Sequence, residues 1–206
     1  MTEKNLSDRT KVVHVVKWFE ELRRQQNRPI KVYFSSIVRK NGGVSFLIRE
    51  KDERKLVILY PQTESSASCK NFAADERGKL KVEKKVFRYQ VSSCNHLNAS
   101  LLRERFSFTR PIVMGLTPAI GMGDRIGLAT PGHIRAAKKF GVFPVLAQQS
   151  IREMTRTSRS PQEVIDDVSW AVFQEGYHGG FGADADHLKT EEDINETFRA
   201  GFTMYT

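Results

Sequence analysis

Two runs decide how the second half of this chain is read: Val142-Phe143-Pro144-Val145-Leu146-Ala147-Gln148-Gln149 and Phe181-Gly182-Ala183-Asp184-Ala185-Asp186-His187-Leu188-Lys189-Thr190. Their apolar portions predict strands over 142–147 and 181–185. Between them, Ser160-Pro161-Gln162-Glu163 is a capping box with proline at the first helical position, and Val164, Val168, Ala171 and Val172 recur at helical spacing until Gly176. Two strands joined by a single helix specify a right-handed parallel unit.

The same grammar extends in both directions. Upstream, Thr130-Pro131 reads as an N-cap followed by a helix that ends at Gly141, with a strand expected before it over Ile112–Leu116. Downstream, Thr190 followed by Glu191, Glu192 and Asp193 opens a helix closed by Gly201, and Phe202–Tyr205 predicts a fourth strand. A doubly wound sheet and a barrel share this local pattern. Polar residues crowd directly behind the strand runs, where a barrel carries its active-site loops, and this favours an α/β fold with a partial (β/α)8-type barrel of about four parallel strands over 111–206.

Three polar clusters follow the expected strands. Thr117-Pro118-Ala119-Ile120-Gly121-Met122-Gly123-Asp124-Arg125-Ile126-Gly127 is glycine-rich but fits neither a dinucleotide fingerprint, which needs glycine at Ile126, nor a phosphate loop, which needs a following lysine. It offers backbone amides to an anion, and Arg125 suits a carboxylate, with Asp124 beside it; a tight turn in which Asp124 caps a helix or pairs with Arg125 reads equally well. Gln148, Gln149 and Arg152 supply hydrogen-bonding groups suited to sugar hydroxyls, or to a solvated loop. Asp184 and Asp186 share a face by strand alternation, with His187 next to them and Lys189 placed to neutralise an acid. Carboxylates and an imidazole at a strand end suit a divalent cation or proton transfer.

Taken together, residues 121–135, 148–156 and 181–190 resemble the tagaturonate epimerase family. That resemblance implies a barrel-type scaffold, a divalent metal cofactor and inversion of a sugar-acid substrate at carbon 4, converting tagaturonate and fructuronate into one another. Position by position, it implies that Asp186 is the proton acceptor and His187 a metal ligand. It also implies members about twice this length, with the proton donor and remaining metal ligands beyond Thr206. The chain is therefore expected to be an amino-terminal portion, inactive alone and in need of its carboxy-terminal half or of a second copy.

Residues 1–110 have a different texture and predict a small α+β region. Val12, Val16, Phe19 and Leu22 mark an amphipathic helix with Ser7 as its N-cap, and strand runs follow over 30–38, 44–49, 55–60 and, with unclear pairing, 80–91. Residues 62–78 read as an irregular excursion. This region carries 24 Lys+Arg against 12 Asp+Glu, whereas 111–206 carry 9 against 12, so the whole +9 excess lies in the first half. Interleaving, as in Arg49-Glu50-Lys51-Asp52-Glu53-Arg54-Lys55, marks a solvated face more than a phosphate-binding one. The alternative function is a non-catalytic basic module that binds nucleic acid or a protein through residues 30–91. Cys69 and Cys94 lack metal or disulfide spacing, and no signal or membrane segment is evident, which places the chain in the cytoplasm.

Overall fold

The computed structural model describes residues 3–62 and 72–205, with side chains from residue 11 onward. Of the excursion expected over 62–78, residues 63–71, with Cys69, lie outside the described residues, and from Glu76 the chain is strand and not irregular. No helix among them is long and apolar enough to cross a membrane. The chain divides into two compact units, Met1–Cys94 and Asn95–Thr206, and the boundary lies upstream of the change in texture at Arg110-Pro111.

In the first unit, helix α1 (Glu3–Gln25) is followed by β1 (Ile30–Lys40), β2 (Gly43–Glu50), β3 (Glu53–Pro61), β4 (Glu76–Val82) and β5 (Lys85–Ser93). They form an antiparallel sheet in the order β1-β2-β3-β5-β4. Tight connections fix the register. Asn41 and Gly42 both take positive φ in the first hairpin, as a primed turn requires, and Lys51 and Glu83 do so in the next two. The run 80–91, read as one strand, is thus two strands folded back at Glu83. Helix α1 starts upstream of Ser7, which therefore lies inside it. Val16 and Phe19 are fully buried on the sheet, and Phe19 meets Phe46 and Tyr89 edge-to-face with centroids 5.9 and 5.2 Å away. Burying one such side chain contributes about 1.5–3 kcal/mol.

Near the end of α1, Arg23 is fully buried and donates to Glu50 Oε1 at 2.5 Å and Glu76 Oε1 at 2.7 Å. Arg28 grips the same two carboxylates from the solvent side, at 2.9 and 2.7 Å. Burial pushes both glutamates up, but the guanidinium hydrogen bonds outweigh it and hold them below the ordinary carboxylate range.

The second unit opens with α2 (His96–Arg105), capped by the Asn95 side chain, and a 3₁₀ turn at Ser107–Thr109. Then come β6 (Ala119–Gly121), α3 (Thr130–Phe140), β7 (Phe143–Gln148), α4 (Ile151–Arg156), α5 (Pro161–Gln174), β8 (Gly182–Ala185), α6 (Glu191–Ala200) and β9 (Met204–Tyr205). The four strands are parallel in the order β6-β7-β8-β9, a half-barrel. Ile134 of α3, the apolar stripe of α5 and Ala200 of α6 pack with Leu146, Ala147, Ala183 and Ala185. Alternation sends Gly182 and Asp184 to the opposite face. There Val113–Gly115 meets Val145, Gly182, Thr203 and Met204 around a cavity of about 150 Å³.

Two expectations are corrected. Ile112–Leu116 is not the first strand: the chain turns at Gly115, whose φ is +60°, and leaves Val113 and Leu116 exposed, while β6 forms only at Ala119. Nor is Thr130 the N-cap of α3. It occupies the first helical position, and a carboxylate from outside the helix takes its amide.

Candidate active site

Because the strands are parallel, the segments behind β6, β7 and β8 lie along one edge of the sheet. Of the nine residues singled out in the sequence, direct contacts join Arg125, Gln148, Gln149 and Asp184, and Asp186 pairs with His187.

Behind β6, Asp124 is buried and wholly engaged with its own loop. Its Oδ1 accepts from the amides of Ile126 and Leu128 at 3.3 and 3.2 Å, and its Oδ2 from the Thr130 amide and hydroxyl, each at 2.8 Å. Burial pushes this carboxyl up, but the donors prevail and hold it below its ordinary range. Asp124 thus caps α3 and shapes the loop, as the capping reading of the sequence allowed. Its neighbour Arg125 donates from Nη1 to the Gln148 carbonyl at 2.9 Å and from Nε to Glu153 at 2.9 Å. The glycines of this loop serve side chains. A Cβ at Gly121 would collide with the Gln148 amide, and one at Gly123 with Arg125 and the Gln148 carbonyl.

Behind β7, Gln148 donates to Asp184 Oδ2 on β8 at 3.3 Å. Fully buried Gln149 donates to the Arg125 carbonyl at 3.4 Å and to Thr157 at 3.2 Å. Arg152 is exposed on α4. That short helix went unread in the sequence although Ser150-x-x-Glu153 is a capping box, because six residues show no apolar period.

Behind β8, Asp186 is half-buried and pairs through Oδ1 with His187 Nδ1. His187 is exposed and takes a left-handed φ of 54°, as Asn41, Lys51, Glu83 and Ser158 do in other turns, and histidine is among the residue types that accept it. Buried Ala185 and core-packed Leu188 anchor this turn on either side. Lys189 is exposed, and its amide donates to Asp193. Three of the other four histidines have contacts elsewhere: His96 pairs with Asp166 at 2.8 Å, His178 lies 4.0 Å from the Phe108 ring, and His14 accepts from Trp18; His133 lies in α3.

Among the described residues, no group of three or more His, Cys, Asp or Glu side chains is placed to hold a metal ion. Asp186 on Nδ1 orients the imidazole as carboxylates orient metal-bound histidines, so a cation held here would meet Nε2 and would need further ligands to reach the four to six that divalent ions gather.

Sequence reasoning missed Arg159, whose guanidinium reaches Asp124, Gln149, Glu163 and Asp167. It follows no strand and lies in no motif, so only the folded chain reveals it.

A family model for tagaturonate epimerase, UxaE, matches residues 33–206, well beyond the stretches 121–135, 148–156 and 181–190 that carry the resemblance. The tagaturonate/fructuronate epimerase of Thermotoga maritima is 40% identical over 179 residues, which are 87% of this chain and 35% of that protein. Crystal structures of the fructuronate-tagaturonate epimerase UxaE from Cohnella laeviribosi, native and with glycerol bound, superpose with a TM-score of 0.76 at 35% identity; each covers 92% of this chain and 36% of theirs. The chain therefore spans about a third of the length of these relatives, less than the half implied by the resemblance. With the family model matching most of its residues, this chain belongs to the tagaturonate epimerase family.

Proposed function

We propose that this chain supplies the amino-terminal part of a metal-dependent enzyme of the cytoplasm that interconverts tagaturonate and fructuronate at carbon 4. The observation that supports this most is the Asp186–His187 pair, set on an anchored turn at the carboxyl edge of the parallel sheet.

Carbon 4 is not adjacent to the ketone at carbon 2, so enolisation alone leaves it unchanged. Asp186 takes the proton of the carbon-4 hydroxyl, with Oδ2 as the acceptor because Oδ1 is held by His187. The bond between carbons 3 and 4 then breaks. Its electron pair forms an enediolate across carbons 2 and 3, and carbon 4 becomes an aldehyde. After the aldehyde turns its other face, the bond reforms and the proton returns from Asp186. A divalent cation, with His187 as one ligand and the others from outside this chain, would supply Lewis-acid stabilisation of negative charge on the sugar oxygens. Gln148, Asp184 and Arg152 hold hydroxyls, and Lys189 and Arg125 balance the carboxylate of the substrate.

The test is conversion of tagaturonate followed by NMR, with Mn²⁺ or Zn²⁺ and with chelator, for the chain alone and mixed with the carboxy-terminal portion of a relative. Turnover that needs both metal and the second polypeptide is expected. Absence of turnover in every mixture would refute the reading, and tight metal binding by the chain alone would refute the shared ligand shell.

A further inference from the structure

We infer that Arg159 is a positioning residue that holds the loops behind β6 and β7 in register, and so places Arg125 and Gln148 at the candidate active site. Its role in turnover rests on the function proposed above; its role in loop placement does not.

Arg159 stands in the short connection between α4 and α5, just after Ser158, whose φ of 52° turns the chain back toward the sheet edge. Its side chain is only 10% exposed. Nη1 donates to the Asp124 carbonyl at 3.1 Å and to Gln149 Oε1 at 3.2 Å; Nη2 meets the Glu163 carbonyl at 3.5 Å and the Asp167 carboxylate. One rigid fork therefore ties the β6 loop to the β7 loop and fastens both to α5. A flexible ammonium is a single point and does not span these four acceptors.

The partners extend the tie. Gln149, held by Arg159 through Oε1, donates through Nε2 to the carbonyl of Arg125. Asp124, held by Arg159 through its carbonyl, uses its carboxylate to order the loop through Thr130. Residues 124 and 125 are thus gripped by main chain from two sides. Gly127, with a φ of +75°, passes so close to Asp167 that a Cβ there would collide with the carboxylate. Arg159 acts through its neighbours.

The experiment uses the whole chain with Arg159→Met and Arg159→Lys, and reads amide hydrogen exchange by NMR. In both variants the amides of Ile126, Leu128 and Thr130 are expected to exchange about tenfold faster or more, while those of Leu146, Val172 and Ala183 stay within about twofold of the parent. Restoration of loop protection by lysine would overturn the inference, since a simple ion pair with Asp167 would then suffice. Uniform acceleration across the unit, or loss of its fold in both variants, would overturn it too, as the behaviour of a core ion pair. In the complemented enzyme, kcat is expected to fall about 10²-fold with either variant, the scale for misplaced reacting groups, while metal dependence stays unchanged. A parent that shows no turnover counts against the proposed function and leaves the exchange result to decide the inference.

Discussion

In the antiparallel unit, Arg23 lies fully buried between Glu50 and Glu76. In the parallel unit, Arg125, His187 and Lys189 stand at the strand ends where water reaches them. The first arrangement is closed: Arg28 caps the same carboxylates, and the charges fasten α1 to the sheet. The second is open, with ionisable groups held by one or two contacts each. Charge consumed inside a unit builds structure, and charge left at an edge is available for chemistry. The basic residues Arg49 and Lys55 also pair with neighbouring acids, but at the surface of the unit, where such pairs add little to stability.

Substitutions can break this contrast. The largest effect is expected from Asp186→Asn in the complemented enzyme: a nearly isosteric change that removes the proposed base, lowering turnover by ~10²–10⁴ with no change in the exchange of core amides. Near-normal turnover would remove Asp186 from the chemistry.

Next comes Arg23→Met, which leaves Glu50 and Glu76 without their buried partner and should cost the first unit about 3–5 kcal/mol, read by denaturant unfolding with exchange to separate the units. The effect carries a pH signature. Both glutamates are held below their ordinary range, so their contribution is complete above that range and is lost as pH falls through the depressed values. The penalty for Arg23→Met should therefore shrink on acidification. A penalty that is constant with pH would mean that packing, and not charge, sets it.

A smaller loss, about 1–3 kcal/mol, is expected for Asp124→Ala, which strips the acceptor from three amides and a hydroxyl. It should appear first as faster exchange at Ile126, Leu128 and Thr130, with the first unit unaffected. Equal losses in both units would show that the effect is not confined to this loop.

Much of the second unit was legible because its helices announce themselves. Ser160 makes the capping box that the sequence displays, Thr190 opens α6 ahead of three acids, and Gly141 and Gly201 end helices in left-handed geometry. Strands β7 and β8 were legible as compact apolar runs with polar residues behind them. Strand β6 was not, since Ala-Ile-Gly has little strand propensity and the apolar run at Ile112–Leu116 outweighed it. The hairpin at Glu83 was hidden because its turn contains neither glycine nor asparagine. At the site, the residue types were readable and their pairings were not: which donors would satisfy Asp124, and that Arg159 would cross between loops, depend on distances that only folding creates.

Gly127 gives the β6 loop an uneven tolerance for sequence drift. On either side of it, Ile126 and Leu128 are mostly exposed and can wander among many side chains at little energetic cost. At 127 itself any side chain meets both the left-handed backbone and the carboxylate of Asp167. An ancestor that exchanged this glycine would have had to move the Asp167 carboxylate, and with it an anchor of Arg159. Substitutions at 127, 159 and 167 are thus expected to accumulate together or not at all, a single heritable character spread over three distant codons.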